Sequence, residues 1–197
     1  MPEEFADRPA AVPPAQAGQE STDILLRQLV LATGATAVVA CGPAAVRRTA
    51  SIATALRDNG SGRVVGCAPD AEQAQDVSGT LGAAGVARYA DVLHGDIRHV
   101  LRRLPGPVDL LVLGCPGEEY LPVFQAVEPR LLPGALIVAL GGQAHGDPPS
   151  GDPPSGDPPS GDPPSGESLA RFLRHDDGYV SLSLPIEGGV EVAVRAL

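Results

Sequence analysis

The chain has 197 residues, a formal charge of −10 at pH 7 and a hydrophobic content of 43%. This length suits one domain with a sizeable core, and the negative charge argues against nucleic acid or an anionic membrane surface as a partner. No apolar run approaches the roughly 20 residues of a membrane span, and the acidic N-terminus does not resemble a signal sequence. Three widely spaced cysteines form no disulfide framework, which predicts a cytoplasmic protein. All fourteen basic residues are Arg, which excludes a lysine-dependent mechanism.

The first 20 residues are rich in Pro, Ala and acidic side chains and have no apolar period, so we predict a flexible N-terminal arm at 1–20. The folded domain is predicted to span 21–197. Ser21 or Thr22 is the expected cap of a first helix, whose apolar stripe stops before Gly34.

Short apolar strands then alternate with helices. The predicted strands are Thr36–Ala40, Arg63–Cys67, Tyr89–Leu93, Asp109–Leu113 and Ala135–Leu140. The predicted helices are Ala44–Leu56, Ala71–Ala84, Ile97–Leu104 and Pro122–Leu131, with turns at Asp58-Asn59-Gly60 and Pro133-Gly134. This alternation is typical of a parallel sheet covered on both faces, because each crossover must span the sheet.

The unit Gly-Asp-Pro-Pro-Ser occurs four times in succession from Gly146 to Ser165. Proline removes backbone donors while Gly and Ser add flexibility, so we predict a disordered loop at 146–166. A helix and an antiparallel hairpin are predicted beyond it, at Glu167–Arg174, Tyr179–Pro185 and Val190–Arg195.

The order of elements and several local strings resemble the class I S-adenosylmethionine-dependent O-methyltransferases of the cation-dependent, catechol-methylating type. The strings are Val38-Val39-Ala40-Cys41-Gly42, Arg63–Asp70, His94-Gly95-Asp96, Val108–Tyr120, Leu131–Ala135 and Leu184–Gly189. The resemblance covers about residues 22–197. It implies an α/β fold with a doubly wound, mostly parallel seven-stranded sheet and a C-terminal antiparallel hairpin, the Rossmann-like methyltransferase fold. It also implies S-adenosylmethionine as cofactor, a small-molecule ligand and a homodimer.

The resemblance assigns the turn after the first strand to the methionine end of the cofactor. Gly42 keeps the family's glycine there. The acidic position at the end of that strand is Ala40, and a later glycine position is Val46. A side chain at such a glycine position prevents the cofactor from approaching the backbone as closely as glycine permits.

The acidic position that accepts hydrogen bonds from the ribose is Ala68 here, and Asp70, two residues on, is the candidate substitute. Asp96, after Gly95, matches the acidic position that the family uses near the adenine. The resemblance therefore gives four candidate cofactor-binding residues, Gly42, Asp70, Gly95 and Asp96.

The catalytic positions of the family also depart from its pattern. In this chain, Gly114 and Gly117 occupy the positions of the family's metal-binding Asp and Lys base after the fourth strand. The family's Asp-Asn pair after the fifth strand corresponds to positions within Ala139-Leu140-Gly141-Gly142. Glu118 and Glu119 are interpreted as charges at a helix N-terminus. We therefore assign no catalytic or metal-binding residue and expect no divalent cation, which would need oxygen ligands there.

Cys41, Cys67 and Cys115 each follow a different strand, and His94 ends the third. The carboxyl ends of parallel strands open onto one crevice, so the thiols are expected to lie close together. Such soft ligands suit Zn²⁺ or Cu⁺, whereas a buried cysteine is otherwise only a small apolar residue.

Two functions remain open at this stage. The first is an enzyme that moves a methyl group from S-adenosylmethionine to a hydroxyl of a small molecule. The second is a catalytically inactive relative that keeps the fold as a binding or dimerisation module, which the substituted positions favour. A thiol or metal site is a third, minor hypothesis.

Overall fold

The computed structural model describes residues 14–96, 99–100, 106–116, 119–141, 166–186 and 188–196. The predicted arm before residue 14, most of the helix predicted at Ile97–Leu104 and the predicted repeat loop, apart from Gly166, lie outside these residues.

Seven strands are described. They are β1 Ala37–Cys41, β2 Arg63–Ala68, β3 Ala90–His94, β4 Val108–Leu113, β5 Leu131–Leu140, β6 Tyr179–Leu184 and β7 Val190–Arg195. The described helices are α1 Pro14–Thr33, α2 Pro43–Val46, α3 Thr49–Asp58, α4 Ala71–Ala83, α5 Tyr120–Val127 and α6 Gly166–His175.

The strands form one sheet in the order β3-β2-β1-β4-β5-β7-β6. The first five are parallel, and β7 runs antiparallel between β5 and β6. This arrangement confirms the predicted doubly wound sheet with its C-terminal hairpin. The winding changes direction between β1 and β4, and the carboxyl ends of strands at such a switch point are where open α/β sheets bind ligands.

The strands are buried on both faces because successive side chains alternate between two cores. Val38 and Ala40 belong to the core that α1, α2, α3 and α4 cover. Val39 and Cys41 belong to the core that α5 and α6 cover. The sheet is therefore the middle layer of three, which leaves the carboxyl ends of its strands as the open edge.

Helix α1 begins at Pro14, so Ser21 and Thr22 lie inside it and the prediction that one of them caps it is wrong. Residues 15–20 are mainly Ala, Gln and Glu, which favour a helix, and proline is tolerated in a first helical turn. The end of α1 agrees with the prediction, because Gly34 follows it with a φ of 64°.

The single helix predicted over Ala44–Leu56 is two helices, separated at Arg47 and Arg48. The backbone N–H of Ala44 donates to the carbonyl of Gly114, 3.1 Å away, which ties α2 to the end of β4. A tertiary contact thus redirects a segment whose local sequence favours one continuous helix.

The predicted turn at Pro133-Gly134 lies within β5, which starts at Leu131 rather than Ala135. Its register against β4 shifts between Val108 and Leu110, and Gly134 has a φ of 80°, so the two residues form an irregularity inside a longer strand. The preceding helix, predicted to reach Leu131, ends at Val127 because Pro129 follows in a 3₁₀ turn.

Within the described part of the chain, no helix is both long and apolar enough to cross a membrane.

Candidate functional site

A cleft of about 570 Å³ opens at the carboxyl ends of β1, β2, β3 and β4. Its volume lies within the usual range for small-molecule sites, roughly 300–1,000 Å³. Its wall consists of Gly42, Pro43, Cys67, Ala68, Pro69, Gly95, Asp96, Cys115, Pro116, Glu119, Pro122 and Val123. Three of the four predicted cofactor-binding residues, Gly42, Gly95 and Asp96, are therefore brought together.

The fourth, Asp70, lies elsewhere. Its carboxylate accepts a hydrogen bond from the backbone N–H of Gln73, 2.8 Å away, which makes Asp70 the N-cap of α4. It lines a separate groove of about 540 Å³ that also contains Arg47. Because the cap directs its carboxylate at the helix, the structure does not group Asp70 with the cleft residues.

The base of the cleft is a backbone contact between the segments that follow β1 and β4. Gly42 has a φ of 90°, and a Cβ on it would lie 2.7 Å from the backbone of Gly114 and Cys115. A Cβ on Gly114 would lie 2.4 Å from the backbone N of Ala45 and 2.9 Å from Cβ of Ala44. Neither position has space for a Cβ, so both require glycine, and Gly42 also requires it because its φ is positive.

The strand ends that hold the cation in the resembling family do not fit one here. The first position, Gly114, has no room for a side chain, because the backbone of α2 fills that space. Near the second position, at the end of β5, the hydroxyl of Tyr120 donates a hydrogen bond to the carbonyl of Leu140. Burial raises the pKa of Tyr120 to about 12, so this phenol stays a protonated donor at neutral pH. Among the described residues at these two strand ends, Gly114, Leu140 and Gly141 supply no carboxylate, whereas a hard cation requires oxygen ligands.

The two positions that carry acidic side chains in the resembling family are apolar and buried. Ala40 is 0% exposed and Ala68 is 1% exposed. Ala68 contributes to the cleft wall next to Gly95, whose N–H donates to the carbonyl of Ala68 at 3.2 Å. A ribose in the cleft would meet a methyl group and backbone at this point.

Asp96 stands at the β3 end of the cleft and begins a helical turn. Its backbone carbonyl accepts hydrogen bonds from the N–H groups of His99 and Val100, and its exposed carboxylate lies 3.7 Å from Nδ1 of His99. Gly95 before it has a φ of 111°, which allows the chain to leave β3 sharply.

Glu119 stands at the β4 end, at the N-cap position of α5. Its side chain makes no capping hydrogen bond, and its position at this helix N-terminus agrees with the sequence interpretation. It also lines the cleft. Burial, followed by the charge of Glu119, raises the pKa of Cys115 to about 12.

Sequence reasoning missed Glu119 as a cleft residue, together with Pro69, Pro116, Pro122 and Val123. The available signal was position alone, since Pro69 and Pro116 lie just beyond β2 and β4 and the others lie in the first turn of α5 or at its start. Apolar and proline residues carry no chemical signature that marks them as wall residues.

The three cysteines do lie close together, as predicted. Cys41 and Cys67 are register partners on adjacent strands, and Sγ of Cys115 lies 3.5 Å from the carbonyl oxygen of Cys41. A hydrogen bond with the Cys67 thiol, and then burial, raises the pKa of Cys41. His94 is the register partner of Ala68 rather than Cys67, so it faces the opposite side of the sheet and does not join them.

The described residues contain no group of three or more His, Cys, Asp or Glu side chains that is arranged to hold a metal ion. The three free thiols are buried. The structure therefore favours the apolar interpretation of these cysteines over the Zn²⁺ or Cu⁺ site.

We expect Cys115 of the folded protein to react with a disulfide reagent at pH 8 about a thousandfold more slowly than in the unfolded chain, because a higher pKa leaves less thiolate. Protonated Cys115 stabilises the fold below its ordinary pKa of 9.0, and that stability is lost as pH rises towards 12. Release of the reagent's chromophore, followed with Cys41 and Cys67 replaced by Ser, measures the rate. Glu119→Gln should accelerate it. Equal rates in the folded and unfolded chains would contradict the burial of this thiol.

A sequence profile described as a methyltransferase domain matches residues 41–139, just over half of the chain, and the chain therefore belongs to this family. The matched region runs from the end of β1 to the end of β5 and includes every residue of the cleft wall. A search of curated protein sequences finds no match.

Solved methyltransferase structures share the fold. An O-methyltransferase from Streptomyces achromogenes, involved in tomaymycin synthesis and in complex with SAM, is 20% identical with a TM-score of 0.71, over 96% of this chain and 83% of that one. An O-methyltransferase from Bacillus cereus in complex with SAH is 20% identical with a TM-score of 0.70, over 95% and 84%. An SAH-bound methyltransferase from Podospora anserina is 15% identical with a TM-score of 0.69, over 94% and 89%.

Proposed function

We propose that this chain is a member of the methyltransferase family that binds S-adenosylmethionine in the cleft at the carboxyl ends of β1 to β4 and does not perform cation-assisted O-methylation. The proposed lack of cation-assisted O-methylation rests on the contact between Gly114 and the backbone of Ala44 and Ala45, because this contact fills the space that a metal-binding carboxylate would need. The proposed binding of S-adenosylmethionine is supported by the cleft volume and by the cofactors present in complexes of the same fold.

The cleft suits the nucleoside end of the cofactor better than its other parts. Gly95 and Asp96 supply an open turn and an exposed carboxylate at the β3 end, where we place the adenine and the ribose. Ala40 and Ala68 supply no carboxylate for the methionine or the ribose. S-adenosylmethionine would provide an activated methyl group, and the chain's own residues would orient the nucleoside and exclude water from it.

Calorimetric titration of the purified protein with S-adenosylmethionine, with and without Mg²⁺, tests this proposal. We expect saturable binding with the same affinity in both conditions, since no described carboxylate pair lies where a cation would join the cofactor. A clear gain in affinity with Mg²⁺ would contradict the loss of the cation site. No saturation at millimolar cofactor would contradict cofactor binding.

A catalytically inactive relative that binds no cofactor is the second candidate, and the buried Ala40 and Ala68 favour it. The same titration separates the two candidates. The homodimer expected from the resemblance stays a prediction, as does the cytoplasmic location.

A further inference from the structure

The cleft carries one carboxylate at each of its two ends. Asp96 follows β3 and Glu119 follows β4, and both line the cleft. Since β2 and β1 stand between these strands, three inter-strand spacings separate the two ends, or roughly 14 Å. An elongated ligand with a nucleoside at the Asp96 end would run towards Glu119, with its central atoms between the two carboxylates.

The carboxylate of Glu119 is available to a ligand. Among the described residues, no hydrogen bond or ion pair to its side chain is found, and it does not cap α5. Glu119 is exposed and lines the cleft together with Cys115.

The remaining described wall does not offset this charge. Besides Asp96 and Glu119, the only ionisable side chains on it are the thiols of Cys67 and Cys115, and it contains no Arg or His. The basic residue Arg47 lines a separate groove. A cleft with walls of one charge sign concentrates its electrostatic field, and the net charge of −10 has the same sign.

We propose that the Glu119 end of the cleft recognises positive charge, so that Glu119 selects adenosyl ligands with a cationic centre in place of the neutral thioether sulfur. This inference rests on the proposed function and names the specificity of the same cleft. S-adenosylmethionine carries such a centre as a sulfonium, and sinefungin carries it as an amine. S-adenosylhomocysteine has the same nucleoside and amino-acid tail without that charge. Among the described wall residues, Asp96 is the only other carboxylate, and it stands at the nucleoside end of the cleft.

Calorimetry with these three compounds tests the inference on the wild-type chain, on Glu119→Gln and on the control Glu72→Gln. Glu72 lies in the separate groove, and Glu72→Gln changes the net charge by the same amount as Glu119→Gln. We expect the two cationic ligands to bind the wild-type chain roughly two- to fivefold more tightly than S-adenosylhomocysteine, as for an exposed ion pair. Glu119→Gln should abolish this preference, while Glu72→Gln should keep it.

The preference should also weaken as salt is added, because exposed charges are screened. Equal affinities of the wild-type chain for all three ligands, or a preference that survives in Glu119→Gln, would overturn the inference and leave cofactor binding intact. If none of the three ligands binds, the proposed function fails and the inference fails with it.

Discussion

Replacement of Gly114 by Asp is expected to lower the free energy of unfolding by about 3 kcal/mol or more. The substitution restores the residue that the resembling family uses as a metal ligand, yet its Cβ would lie 2.4 Å from the backbone N of Ala45. The segment after β1 would have to move away from β4, with loss of the hydrogen bond from Ala44 to Gly114. We therefore expect instability without a gained response to Mg²⁺, as measured by urea denaturation with and without the ion.

Two alanine substitutions serve as matched controls for the effect of space. Gly114→Ala adds one methyl group at the same crowded site and should also destabilise the protein. Gly79→Ala adds the same methyl group in α4, where nothing lies within 4 Å, and should stabilise it by up to about 1 kcal/mol. If Gly114→Asp left the unfolding midpoint unchanged, or gained stability with Mg²⁺, the backbone contact at the base of the cleft would be wrong.

Replacement of Phe124 by Ala is expected to cost about 3–5 kcal/mol, as for other large aromatic residues removed from a core. Phe124 in α5 is fully buried, and its ring centroid lies 5.6 Å from that of Phe172 in α6 and 5.7 Å from that of Tyr179 in β6. These three rings join α5 to the C-terminal elements. Because α5 follows Glu119 directly, its loosening should also weaken ligand binding at that end of the cleft.

Thermal or urea unfolding measures the stability of this variant, and calorimetry at a temperature where it remains folded measures its binding. Phe124→Leu retains most of the volume and should cost less than half as much. Similar losses for both variants would contradict this expectation, because they would show that the ring contacts matter more than the retained volume. Unchanged binding in a destabilised Phe124→Ala would separate the aromatic cluster from the cleft.

Much of the fold was predictable because local pattern and global arrangement agree. Short apolar runs such as Asp109–Leu113 are buried on both faces in a parallel sheet, and the predicted hairpin strands match the observed β6 and β7 within one residue. Gly34 ended α1 as expected from its position after an apolar stripe. Each of these features depends on residues that are close together in the sequence.

Two of the errors concern contacts between distant parts of the chain. The division between α2 and α3 depends on a hydrogen bond from Ala44 to Gly114, which no local propensity anticipates. The resemblance correctly drew attention to Gly114, but its sequence position alone did not reveal that a side chain lacks space there.

The candidate site was predictable only in part for the same reason. Gly42, Gly95 and Asp96 follow strands and meet at one edge of the sheet. Asp70 also follows a strand, but it caps α4 instead. Glu119 does lie at a helix N-terminus, as interpreted, but only the three-dimensional arrangement shows that it also lines the cleft.

The contact of Gly42 with Gly114 has a consequence for how this protein can change. The two segments at the base of the cleft are joined through main-chain atoms, so the shape of this edge does not depend on which side chains surround it. Substitutions at exposed wall positions such as Pro116 or Glu119 can accumulate while the architecture stays intact. A backbone of this kind can come to bind a different ligand without changing its shape. The few charged side chains on the cleft wall then indicate its chemistry better than the fold does.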